Sequence, residues 1–144
     1  MITALDAVDT LAEIIKDSPL GTEITGGIYK LNRPDNSQVE DVVLIPITQI
    51  DEVWSEGVIN ANIHVSDINV VIKDKLTGLN YPQNQPNYKR LKQLLTIAKD
   101  EFEYVTGDGI TNPYQMYLQA HNIIQDQASK SWFLNLRFSY QNYK

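Results

Sequence analysis

Trp132-Phe133-Leu134-Asn135-Leu136-Arg137-Phe138-Ser139-Tyr140 alternates without a break. Trp132, Leu134, Leu136, Phe138 and Tyr140 fall on one side of an extended chain. Phe133, Asn135, Arg137, Ser139 and Gln141 fall on the other. Successive side chains of a strand point to opposite faces, so a period of two marks a strand buried on one face only. The arm runs from Ser131 to Gln141. Upstream, about Pro113 to Gln125 makes a second arm, with Gln127 to Lys130 as a polar loop between them, so the end of the chain reads as a long β-hairpin. One-faced strands of this kind belong to an antiparallel sheet covered on its apolar face.

The same alternation recurs from about Gly57 to Ser66, where Ile59, Ala61, Ile63 and Val65 oppose Asn60, Asn62, His64 and Ser66. A strand from about Val39 to Thr48 is apolar on both faces (Val42, Val43, Leu44, Ile45, Ile47), which suits a central position. A first strand from about Glu23 to Leu31 carries Gly26-Gly27 as a bulge or a close backbone approach. Arg33-Pro34-Asp35-Asn36-Ser37 supplies turn chemistry after it.

Two helices supply the cover. Residues 2–17 place Ile2, Leu5, Val8, Ala12 and Ile15 at helical spacing, opposite Asp6, Asp9, Glu13 and Lys16; Ser18-Pro19 and Gly21 end the helix. A second helix from about Pro86 to Tyr104, with Pro86 in its first turn, buries Tyr88, Leu91, Leu94, Leu95, Ala98, Phe102 and Val105. Gly107-Asp108-Gly109 breaks the chain after it. Asp67 to Gln85 reads as an extended excursion, with a short strand at Val70, Val71 and Ile72 and a turn at Lys75-Leu76-Thr77-Gly78. A long segment without clear structure is often functional. The expected architecture is a single α+β domain over residues 1–144: one antiparallel sheet with two helices packed on one face, in the order α-β-β-β-α-β-β.

Composition narrows the function. At 144 residues, 42% hydrophobic and 21% charged, the chain is of ordinary globular make-up. Without cysteine it has no disulfide, thiolate nucleophile or thiolate-bound metal. Asp6 and Asp9 interrupt the first ten residues and no Lys or Arg precedes Lys16, unlike a secretory signal. No run approaches the ~20 apolar residues of a membrane span. A net charge of −6, with Lys89, Arg90 and Lys92 as the densest basic stretch, argues against nucleic acid as a direct partner.

No cofactor, metal or catalytic constellation emerges. Gly21 and Gly26 have the spacing of a phosphate loop, but Gly27 and Ile28 stand where its Lys and Ser/Thr must be; a helix cap and a strand bulge explain the glycines. His64 and His121 sit in different strands, able to meet only across the sheet. His64 reads as a surface residue and His121 as a partly buried one. Asp100, Glu101 and Glu103 follow Lys89, Lys92 and Lys99 and read as a solvated helix face. The chain is therefore expected to be an assembly or binding protein rather than an enzyme. Its informative feature is a pair of polar strand faces, Asn60, Asn62 and His64 on one strand and Asn135, Arg137 and Ser139 on another. They suit an ordinary solvent face, a wet interface or the lining of a lumen.

The element order, the N-terminal helix, Gly26-Gly27-Ile28-Tyr29-Lys30, Arg33 to Ser37 leading into Glu40-Asp41-Val42-Val43, the strand Gly57 to Val65 and the closing strand Trp132 to Tyr140 together resemble a bacteriophage tail terminator, also called a tail-completion or neck protein. The resemblance covers most of the chain at the level of shape. It implies a homo-oligomeric ring, typically hexameric, that caps the tail tube in the virion, with the sheet towards the lumen and loops reaching the tube and the head-side connector. It implies no catalytic residues, no cofactor and no membrane. The family pattern does not include Asp67 to Gln85, which suits an arm docked on a neighbour. A monomeric small-ligand or peptide-binding module is the competing expectation, with His64 or His121 beside a carboxylate in one deep pocket.

Overall fold

The computed structural model describes residues 3–107, 114–126, 128–129 and 131–143. Ile2, Asp108, Gly109, Pro113, Gln127 and Lys130, named above in helix, turn, strand and loop, lie outside them. The described residues form three helices: α1 (Ala4–Lys16), α2 (Pro19–Glu23) and α3 (Tyr88–Phe102). They also form eight strands: β1 (Ile28–Lys30), β2 (Val42–Asp51), β3 (Trp54–Ser66), β4 (Ile68–Lys73), β5 (Asn80–Gln85), β6 (Val105–Thr106), β7 (Tyr114–Asp126) and β8 (Ser131–Tyr143).

Six strands make a curled sheet in the order β1-β2-β3-β8-β7-β6, and β4 and β5 pair separately. The sheet is mixed, where a single antiparallel one was expected, because β1 runs parallel to β2. The cause lies in the Arg33–Ser37 turn. Instead of making a hairpin it folds back onto Asp41: Arg33 Nε and Ser37 Oγ both donate to Asp41 Oδ2. Leu31 (φ 72°) and Asn36 (φ 60°) take the left-handed conformation that this reversal needs. The chain therefore enters β2 in the direction in which it left β1.

β1 is also shorter than expected. Residues 25–27 carry a mixture of contacts in place of a regular ladder: Thr25 N–H donates to Glu40 Oε1 and Gly27 N–H to Asp41 Oδ1, each at 3.2 Å, while Gly26 N–H donates to the Glu40 carbonyl and Val42 N–H to the Gly27 carbonyl, each at 2.9 Å. Gly26 is the close approach, since a Cβ there would lie 2.2 Å from Asp41 Oδ1 and 2.5 Å from the Glu40 carbonyl oxygen.

Helix α1 opens with a reciprocal cap, Thr3 Oγ1 accepting from Asp6 N–H and Asp6 Oδ2 from Thr3 N–H. It buries Ala7, Val8, Leu11, Ala12 and Ile15, while Leu5 is 59% exposed. The apolar stripe is thus turned from the expected one, centred on the ridge Ala7-Leu11-Ile15. Ser18-Pro19 ends α1 and also starts α2, an element not expected, with Ser18 as its cap. In α3, Asn87 takes the cap, so Pro86 precedes the helix rather than lying in its first turn. Leu91, Leu94, Ala98 and Phe102 are buried; Tyr88, expected in the stripe, is 68% exposed.

All three helices cover one face of the sheet. Leu11, Ile15, Leu94 and Phe102 meet Leu44, Ile59, Ile63, Leu136 and Phe138 in one core, and Phe102 packs edge-on to Phe138. Asp67–Gln85, expected as an extended excursion with a short strand at Val70–Ile72 and a turn at Lys75–Gly78, is mostly the β4–β5 hairpin, whose second arm was not expected. Its tip is closed by Asp74 Oδ1, which accepts from Leu76 and Thr77 N–H, and by Gly78 at φ 71°. Pro82 is tolerated because a two-stranded ribbon consists of edges.

A concave polar face and its surroundings

Strands β3 and β8 pair antiparallel without a slip from Trp54–Tyr143 to Ser66–Ser131. Opposed residues of such a pair share a face. Asn60 faces Arg137, Asn62 faces Asn135, Val58 faces Ser139 and His64 faces Phe133. The sheet thereby brings Asn60, Asn62, His64, Asn135, Arg137 and Ser139 together on the face turned away from the helices. Asn135 Nδ2 donates to Asn62 Oδ1 at 2.7 Å. On β7, Asn122 stands opposite Asn135, extending an asparagine row over three strands, and Ala120 stands opposite Arg137. Arg137 is exposed and the other five are half-buried.

The sheet's curl makes this face concave. Thr48 and Ile50 of β2 and Tyr117 of β7, three strands apart, line a common depression of about 280 Å³ together with Val58 and Ser139. At its other end the face is closed over by the loop between β1 and β2, where Ser66 Oγ donates to the Gln38 carbonyl. His64 lies there, its ring 5.2 Å from that of Phe133, with Nδ1 buried and without a partner among the described residues. Burial first, and the Arg33 charge second, hold the imidazole below its usual pKa. Asp126 and Asp41 pull weakly the other way.

His121 is on the opposite face, paired with Leu136 near the part of β7 that α3 does not cover. It is exposed, not partly buried as expected. The two histidines therefore do not meet across the sheet. His121 does line an open depression of about 610 Å³ with Lys99, Asp100 and Glu103. Among the described residues no three His, Asp or Glu side chains are grouped to hold a metal ion, and no helix is long and apolar enough to cross a membrane.

No protein-family model matches the chain, and no curated protein is significantly similar to it.

Sequence reasoning missed two features. The first is Arg90, read as part of a basic stretch. Its guanidinium forks onto Glu40 (Nε–Oε2 2.6 Å, Nη2–Oε1 2.7 Å) and also donates to Glu23 Oε1 and to the Glu23 carbonyl, each at 2.8 Å. These contacts raise its pKa, the Glu40 hydrogen bonds most of all. The signal was its place one turn before Leu94, on the border of the buried stripe. The second is the apolar surface left at the two ends of β3, in the β2–β3 turn and the β4–β5 hairpin.

Proposed function

We propose that this chain is a structural assembly protein of a phage or prophage tail, a subunit of a ring that terminates the tail tube and joins it to the head-side connector. The observation that carries the reading is the concave sheet face, where Asn60, Asn62, Asn135 and Ser139 surround the exposed Arg137 and which the helices leave uncovered. A lumen through which nucleic acid passes needs a hydrated lining that does not grip phosphate. Asparagines and serine with a single arginine meet that need, and the chain's net charge of −6 adds to it. The fold supports the reading further, in that the helices stabilise the sheet from one side only and leave the other for assembly.

The solution mass tests it. Light scattering over a range of concentrations, with and without magnesium, is expected to show the 16.4 kDa chain shifting to a closed species of several subunits. A strict monomer throughout would count against the ring. It would favour the second reading, a monomeric small-ligand or peptide-binding module, for which the depression around His121, Asp100 and Glu103 is the candidate site.

A further inference from the structure

Two exposed surfaces at opposite ends of β3 complement each other. At one end the β4–β5 hairpin leaves Val71 65%, Leu76 96% and Leu79 56% exposed. Its substantial residue contacts are between its own two arms. It is also locally basic within an acidic chain, with Lys73 and Lys75 against the single acid Asp74. That carboxylate is turned inward to the tip's backbone N–H groups.

At the other end, the β2–β3 turn exposes Ile50, Val53 (77%) and Trp54. It carries Asp51, Glu52 and Glu56, and no Lys or Arg occurs between Arg33 and Lys73. One surface is apolar and basic, the other apolar and acidic. Contiguous exposed apolar groups rimmed by charge mark protein contacts, and opposite potentials fix partner and register.

Within one chain the two surfaces are kept apart. β3 is 13 residues long, so roughly 40 Å of strand separates them. The six-residue arms of the hairpin reach only about 20 Å. We infer that the hairpin docks on the β2–β3 turn of a second copy of this chain, Leu76 entering the patch around Val53 and Lys73 and Lys75 facing its acids. Contact between two different surfaces is head-to-tail, and such contacts close into rings when the rotation allows. This inference rests on the ring reading above and gives that ring its interface.

The chain contains no cysteine, so engineered thiols report the contact directly. Leu76→Cys and Val53→Cys are made separately, mixed and oxidised at concentrations where light scattering is recorded in parallel. Both positions are exposed, so the fold is expected to stand, with circular dichroism as the control. The expected result is a disulfide-linked dimer that forms in the mixture and not in either variant alone, and a ladder of linked species from the double variant. Assembly seen by scattering with no mixed dimer would overturn the hairpin contact and leave the ring reading in place. A monomer by scattering with no crosslink would overturn both. As a second check, Lys75→Glu is expected to weaken assembly at least tenfold, and Glu52→Lys on the partner copy to restore it. Loss without rescue would speak against the pairing of these charges.

Discussion

Arg90 holds more of the structure together than any other polar side chain described. It stands on α3, and through Glu23 and Glu40 it ties α2 and the segment entering β2 to that helix. Glu40 in turn accepts from Thr25 N–H, while its own N–H donates to Thr25 Oγ1. Removing one partner of a largely buried pair leaves the other desolvated and unpaired, which is where the cost arises. Glu40→Ala is therefore expected to lower stability by about 3 kcal/mol, read from urea unfolding. Arg90→Lys is expected to cost about 1–2 kcal/mol, because an ammonium cannot make the forked contact; no loss would mean that the fork contributes little. His64 offers a pH test. Its folded pKa lies below its usual value, so between the two values the folded state binds fewer protons than the unfolded state. Its contribution is present above about pH 6.5 and is lost as the pH falls from there towards the folded pKa. Wild-type protein should lose more stability than His64→Gln between about pH 7 and about pH 5, and equal slopes would remove the imidazole from the account.

The elements differ in how far the sequence discloses them, and the difference is physical. β3 and β8 were legible because a strand buried on one face writes its period of two into the residues, and Ile59, Ala61, Ile63, Leu134, Leu136 and Phe138 are all buried as read. The polar candidates followed from the same alternation, since whatever opposes the core must share the other face. β1 was overdrawn because its neighbours are held by the side chains of Glu40 and Asp41, contacts no local pattern records. β4 was legible only in part, at Val70–Ile72 with the turn at Lys75–Gly78, and β5 not at all, because neither packs on the core and so neither alternates. The same contrast yields a prediction. Leu134→Ala, fully buried, should cost about 2–5 kcal/mol. Leu76→Asp, almost fully exposed, should change the stability of the monomer by no more than about 0.5 kcal/mol. Comparable losses would mean that the hairpin tip packs onto the chain's own body.

At the scale of the whole molecule, the ring proposed above would draw on the face of the sheet that the core does not use. The helices bury the inner face, so the core closes without the concave face. Changes on that face should therefore separate folding from assembly. Arg137 is the sharpest probe: it is exposed, central on β8 and opposite Asn60 and Ala120, neither of which carries charge. Arg137→Glu adds a negative charge to an already acidic chain and repeats it at every subunit around a ring, where like charges on a shared lumen repel. Thermal unfolding of the monomer should stay within about 0.5 kcal/mol of wild type, while the scattering mass falls towards 16.4 kDa. Added salt should restore part of the assembly, because screening shortens the reach of repulsion to about 8 Å at physiological ionic strength. A variant that assembles as wild type does at low salt would remove the concave face from both lumen and interface, leaving the two ends of β3 as the surfaces through which subunits meet.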